Sequence, residues 1–275
     1  MRSVHPHRES RGSPIRTRDH LAAEVPILSE VLFPLDLVLL HAAPLYYGVG
    51  VPHGDGSAVV LIPAFLCPDF YLAPLHEWLR RIGYKPVFSG IGLNTECPNL
   101  LITRQLNQTI DQALSKSKSG RKVHLIGHSL GGVIARAIAA QRPNDVASVI
   151  TLGAPFRGTV AHAGILGVAE MVRKSILAKH GSAVLPACYT PRCTCDFLES
   201  LNCAMHPSVL QTAVYTEGDG VVDWRYCKTD IPETDFRVSG THIGLAFNPL
   251  AYSVIANRLA QARVKKPQER RRRRT

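Results

Sequence analysis

Three side chains of this sequence are of the types, and stand in the order, that nucleophilic acyl chemistry needs. The pentapeptide Gly127-His128-Ser129-Leu130-Gly131 sets a serine among glycines, Gly132 follows, and the stretch EGDGVVDW offers Asp219 and Asp223; THIGLA then offers His242. A serine hydroxyl is a weak nucleophile at neutral pH and requires a base to take its proton, while the base requires a carboxylate to fix its tautomer. Asp219 is the preferred acid because it lies in a Gly-flanked turn directly after a strand-like run, whereas Asp223 precedes Trp224 and can begin a new element. The ring of His128 is expected to aim away from the serine hydroxyl. A developing oxyanion would take the N–H of Leu130, just after the nucleophile, and that of Phe65, in the loop IPAFL after the first strand. The plain alternative is an ordinary strand-to-helix turn that Ser129 merely caps.

Such groups act only if the chain brings them to one edge, and the hydrophobic pattern supplies the elements for that. The runs Ala58 to Pro63, Pro86 to Ser89, Val123 to Gly127, Val146 to Leu152 and Gln211 to Thr216 are short and mostly continuously apolar, as strands covered on both faces must be. Leu106, Ile110, Ala113 and Leu114 recur at helical spacing, as do Leu250, Val254, Ile255 and Leu259, the second pattern ending near Arg263. Strands alternating with helices predict an α/β fold around a parallel sheet. The glycines of GHSLGG fall between VHLI and the helical stretch VIARAIAAQ, the context in which a serine rides a sharp strand-to-helix turn. Residues 159–207 interrupt the alternation, with helical periodicity only around Ile165 to Leu177, and are expected to form a lid-like insertion.

Taken together, IPAFL, GHSLGG, TLGAPFRGT, EGDGVVDW and SGTHIGLAFNPLA resemble the α/β-hydrolase superfamily, and within it the bacterial triacylglycerol lipase-like esterases, over roughly residues 55–262. The resemblance implies a mostly parallel central sheet with helices on both faces and a serine hydrolase that cleaves carboxylic esters, lipid or acyl, through an acyl-enzyme. It implies Ser129 as nucleophile, Asp219 as acid, His242 as base, and Phe65 and Leu130 as the oxyanion-hole donors, with no cofactor and no metal. Gly153 to Gly158 resemble the loop that borders the substrate cleft. Two departures stand out: Ala64 occupies a position where many relatives have glycine, and little sheet is recognisable before residue 58, so that the first two strands of the eight-stranded form are missing or replaced by Pro26 to Tyr47. An acyltransferase or thioesterase with the same triad is the alternative within enzymes, and a catalytically silent binding protein of this fold is the alternative outside them.

The composition bounds the remainder. With 275 residues, 45% of them apolar, the chain is long enough for a large core, which excludes disordered, collagen-like and disulfide mini-scaffold classes. The net charge of +11 belongs to the ends: residues 1–20 carry +3 and 263–275 carry +7, leaving +1 for 21–262. Both ends are expected to be disordered basic segments flanking one hydrolase domain at 21–262, with weak polyanion or membrane-surface contact through the Arg-rich tail and no specific nucleic acid partner. The start of the chain lacks the pattern of a secretory signal, so the expected location is cytoplasmic, with membrane association as the alternative. The apolar run Val31 to Val51 includes Asp36, which would cost about 2.5 to 3.5 kcal/mol at a bilayer centre, and is read as a core-covering helix followed by a turn. Seven cysteines are an odd number, and Cys188, Cys193, Cys195 and Cys203 crowd together without a paired zinc spacing; reduced thiols come first among the readings, a local disulfide second and zinc last.

Overall fold

The computed structural model describes residues 18–117 and 121–264. Its strands are β1 (Arg18–Ala22), β2 (Ala58–Ile62), β3 (Lys85–Phe88), β4 (Val123–His128), β5 (Val146–Leu152), β6 (Gly158–Ala161), β7 (Leu210–Tyr215) and β8 (Asp235–Arg237). Its helices are α1 (Phe33–Ala42), α2 (Ala73–Arg81), α3 (Pro98–Leu101), α4 (Asn107–Ser115), α5 (Leu130–Gln141), α6 (Ala163–His180), α7 (Asp196–Asn202) and α8 (Pro249–Val264). Six strands form one sheet in the order β3-β2-β4-β5-β7-β8, and every pair in it is parallel. The five apolar runs read from the sequence are five of these strands, within one residue at each end.

Alternate residues of each central strand enter different cores, which is why the runs are mostly apolar. Val60, Ile62, Leu125 and Val149 pack with α4, α5 and α7 on one face, while Val59, Leu61, Ile126 and Ile150 pack with α2, α8 and the chain around Leu40 and Tyr46 on the other. Arg136 of α5 is buried, donating to the carbonyls of Leu201 (2.8 Å) and Cys203 (3.3 Å), so the helix after the serine is fixed to α7 and its exit.

The N-terminal part departs from expectation in two ways. A strand that no apolar run announced, β1, begins at Arg18 and pairs in parallel with β6, forming a second, two-stranded sheet. The outer arms, residues 1–17 and 265–275, lie outside the described residues, and so does the contact expected of the Arg-rich tail. Residues 27–47 run as a short 3-10 turn (Ile27–Leu32), then α1, then a second 3-10 turn (Pro44–Tyr47), in the place where no sheet was recognised. This stretch is inverted: Glu30 and Asp36 are buried, while Leu28, Val31, Leu32, Leu35, Val38 and Leu39 are 49% to 81% exposed. No helix among the described residues is long and apolar enough to cross a membrane.

Candidate active site

Ser129 stands between the end of β4 and the first residue of α5, with φ 51° and ψ −122°. That is a left-handed backbone conformation which a side-chain-bearing residue adopts only when its surroundings enforce it. Enforcement comes from close backbone approach on both sides. A Cβ on Gly127 would collide with the carbonyl of Gly131, and a Cβ on Gly131 would collide with the carbonyls of Ile62 and Pro63 at the end of β2. The hydroxyl is not spent on capping α5, since the Ser129 side chain makes no cap hydrogen bond. It lines an internal cavity instead.

The acid and base arrive from the ends of β7 and β8. Asp219 follows β7 in a turn whose N–H groups hold one carboxylate oxygen: Oδ1 accepts from Val221 (2.9 Å) and Val222 (2.8 Å). Its other oxygen lies 2.6 Å from His242 Nδ1, with both side chains almost wholly buried. Asp223 is engaged elsewhere, with the Arg225 guanidinium at 2.8 to 3.1 Å, and it caps the short turn Trp224–Tyr226. Burial disfavours a charged His242 ring, but the Asp219 carboxylate, by charge and by hydrogen bond, and Glu30 behind it more than offset this and raise the His242 pKa. His242 lines the same cavity as Ser129.

Two N–H groups are available at that cavity. Among the described residues neither Phe65 nor Leu130 donates its backbone N–H to a protein acceptor, and both line the cavity. The close approach of Gly131 to Ile62 and Pro63 brings the start of α5 against the loop that carries Phe65. Buried Asn94 clamps the loop: its Nδ2 donates to Pro63 O at 2.7 Å, its backbone carbonyl accepts from Leu66 N at 3.1 Å, and its backbone N–H donates to Cys67 O at 3.2 Å. The left-handed residue of this turn is Leu66 (φ 62°) and not Ala64, so the methyl at position 64 meets no backbone penalty.

The roles of three residues at the site escaped the sequence reading. Glu30 is the most telling, because its carboxylate accepts the N–H of Gly220 (2.8 Å), His242 (2.9 Å) and Ile243 (2.8 Å) and thereby ties the loop of the acid to the loop of the base. Asp36, six residues further on, accepts from Asn248 Nδ2 at 2.8 Å behind the same loop. His128 contacts the carbonyl oxygen of His242 through Nε2 at 2.9 Å and the Tyr71 hydroxyl through Nδ1. A carbonyl only accepts, so a neutral His128 carries its proton on Nε2 and accepts from Tyr71 through Nδ1. Burial, reinforced by the neighbouring His242, lowers the His128 pKa to about 3. The ring thus turns away from Ser129, as expected, and buttresses the backbone of the base.

The cavity measures about 320 Å³ and is walled chiefly by apolar side chains, among them Val133, Phe156, Ile165, Leu166, Tyr189 and Leu198. Four of these belong to residues 159–207, and the Tyr189 ring sits 6.2 Å from that of Phe65. Pro155, Phe156 and Gly158, of the segment expected to border a cleft, also line it. Among the described residues no group of three or more His, Cys, Asp or Glu is arranged to hold a metal ion.

A parallel sheet with a serine on the turn after one inner strand, an acid after the next but one and a histidine before the last helix is the architecture of the α/β-hydrolases. The chain has that fold. A model of the family described as palmitoyl protein thioesterase matches residues 91–216. Triacylglycerol lipases of Pseudarthrobacter phenanthrenivorans and Burkholderia plantarii are each 47% identical over 55 residues, which are 20% of this chain and 17% and 15% of theirs. The match therefore spans less than a fifth of the length of those lipases. Two solved structures share the fold at 16% identity and a TM-score of 0.50: one from a study of carboxylesterases of Nitrososphaera gargenis, covering 78% of this chain and 94% of that one, and a soluble variant of monoglyceride lipase from Saccharomyces cerevisiae, covering 77% and 88%.

Proposed function

We propose that the protein is a serine hydrolase of carboxylic esters, acting on lipid or acyl esters through an acyl-enzyme on Ser129. The observation that carries this reading is the 2.6 Å contact between His242 Nδ1 and the buried Asp219 carboxylate, made beside the cavity that Ser129 also lines. Asp219 holds the imidazole with its proton on Nδ1, which leaves Nε2 free to take the Ser129 proton as the hydroxyl oxygen attacks the ester carbonyl. The Phe65 and Leu130 N–H groups receive the oxyanion, where one donor is worth about 2.7 to 4 kcal/mol. His242 then returns the proton to the leaving alcohol, and water repeats the sequence to free the acid and Ser129.

An apolar cavity favours an acyl chain, each buried methylene contributing about 0.8 kcal/mol. Residues 159–207 form the lid over it in this reading. The Arg-rich tail adds weak contact with a polyanion or membrane surface, which removal of residues 263–275 and added salt would both abolish. The palmitoyl protein thioesterase match favours a thioester as the second substrate class.

Labelling with a fluorophosphonate tests the nucleophile. Wild type is expected to label and Ser129→Ala not to; labelling that persists in the variant removes Ser129, and absence of labelling in folded wild type favours a silent binding domain. Matched p-nitrophenyl esters and acyl thioesters of increasing chain length then separate the two substrate classes.

A further inference from the structure

The seven cysteines are all free thiols in this structure, yet two of them are in contact. Cys97 Sγ and Cys188 Sγ lie 3.1 Å apart, inside the van der Waals separation of two sulfur atoms and 91 residues apart in the chain. We propose that Cys97 and Cys188 are a disulfide site, and that the bond staples the 159–207 segment to the wall of the cavity that holds Ser129 and His242. The sequence reading puts reduced thiols first and a bond local to the cluster at 188–203 second; the sulfur nearest Cys188 is instead that of the residue before α3.

The surroundings suit a bond of this kind. Both residues are buried, at 4% and 2% exposure, and both line the cavity. Cys97 directly precedes α3 and its N–H donates to Glu96 Oε1 at 2.9 Å, while Cys188 sits in a turn and its N–H donates to Leu185 O at 2.8 Å, next to Tyr189 with φ 65°. An S–S bond requires the two sulfur atoms to close from 3.1 Å to about 2.05 Å, and neither cysteine lies inside a helix or strand. Cys97 and Cys188 share a small satellite cluster with buried Ile176 and Val184 and half-buried Leu100, Val172, Leu177 and Tyr189, and polar bonds join the same surfaces, from Lys179 (2.7 Å) and His180 (2.8 Å) to Glu96 and from the Phe197 N–H to Asn99 Oδ1 (3.1 Å). A covalent link at this point therefore joins the segment to the cavity wall at a cluster separate from the two main cores.

Formation needs an oxidant, here a low-molecular-weight disulfide RSSR such as oxidised glutathione. The Cys97 thiolate attacks one sulfur of RSSR, forming a mixed disulfide and expelling RS⁻. Cys188, after losing its proton, attacks the Cys97 sulfur and expels the second RS⁻. Two protein thiols and RSSR thus become one protein disulfide and two RSH. Cys97 is suited to the first step, since the Cys188 thiol donating to it lowers its pKa to about 6.

The test is independent of the ester chemistry and reads mass and melting temperature. Wild-type protein is incubated with oxidised glutathione, and its intact mass, its cross-linked peptides and its Tm are compared with those of Cys97→Ser and Cys188→Ser. Expected are loss of two hydrogen atoms, a peptide pair joined through Cys97 and Cys188, and a rise in Tm of roughly 5–15 °C that dithiothreitol reverses and both variants lack. Peptide mapping of wild type alone decides the matter should a serine variant fail to fold. Thiols at 97 and 188 that both remain open to alkylation, a glutathione adduct on Cys97 that Cys188 never displaces, or cross-links confined to Cys193, Cys195 and Cys203 would each overturn the proposal.

Discussion

Glu30 and His242 are separated by 212 residues, and a carboxylate oxygen of the first accepts the backbone N–H of the second at 2.9 Å. The same carboxylate holds Gly220 and Ile243, so one side chain from the N-terminal stretch fixes both loops that meet at the Asp219–His242 pair.

Removing that clasp is expected to separate positioning from folding. Glu30→Ala leaves three buried N–H groups without an acceptor and should cost about 3 kcal/mol of stability, read by urea unfolding. Glu30→Gln keeps the shape and one acceptor oxygen, so the protein should fold while kcat falls about 10- to 100-fold. The Glu30 charge helps to raise the His242 pKa, and activity requires the neutral ring. Its removal therefore moves the acid limb of the kcat/KM profile to lower pH, and an unshifted limb would count against a role in positioning the base.

The two aspartates should behave unequally. Asp219→Asn takes away the acceptor that fixes the His242 tautomer and should lower kcat by about 10⁴, as loss of the acid does in triads of this type. Asp223→Asn disturbs a pair with an exposed arginine, worth about 0 to 1 kcal/mol, and should leave kcat within about threefold of wild type. Steady-state kinetics on one ester decides; the larger loss at Asp223 would reverse the assignment.

Asn94 offers a test of the oxyanion loop that touches neither donor. Asn94→Ala deletes the amide that holds Pro63 O, and kcat should drop about 10- to 100-fold with KM little changed, less than the 10²- to 10³-fold expected for loss of a donor itself.

His128 makes stability depend on pH. Its native pKa of about 3 lies below the value of 6.5 that it takes when unfolded, so between these values the unfolded chain binds a proton that the native state refuses. Its contribution is fully present above about pH 6.5 and lost as pH falls toward 3, reaching roughly 2–3 kcal/mol of loss by pH 4.5. His242 has the opposite sign, its raised pKa contributing stability below 6.5 that is lost at higher pH. The difference between wild type and His128→Gln isolates the first effect: the variant should lose less stability than wild type on acidification, measured by denaturant midpoints from pH 7 to 4.5.

How much could be read in advance depended on whether a residue's partner leaves a local trace. The central strands were legible because burial on both faces makes Val59 to Ile62 apolar without a break and Val146 to Leu152 apolar but for Ser148 and Thr151, and Ser129 was legible because its turn excludes side chains at Gly127 and Gly131. Short β6 and β8, and β1 within a basic stretch, have no such signature. Glu30 bonds to backbone N–H groups, which any residue type provides, so nothing at positions 220, 242 or 243 announces it. A signal did exist on its own side: Glu30 and Asp36 are the only carboxylates between Val25 and Tyr47, and an acid inside an apolar run must find hydrogen-bond donors if it is buried.

The inverted stretch has a practical consequence for where this molecule can be cut. Recognisable motifs start near residue 55, and a shortened gene product starting there would retain Ser129, Asp219 and His242 while losing Glu30 and Asp36. Such a truncate could be inert through nothing more than a slack hinge between two loops, and its silence in an assay would say little about whether the chemistry was ever encoded.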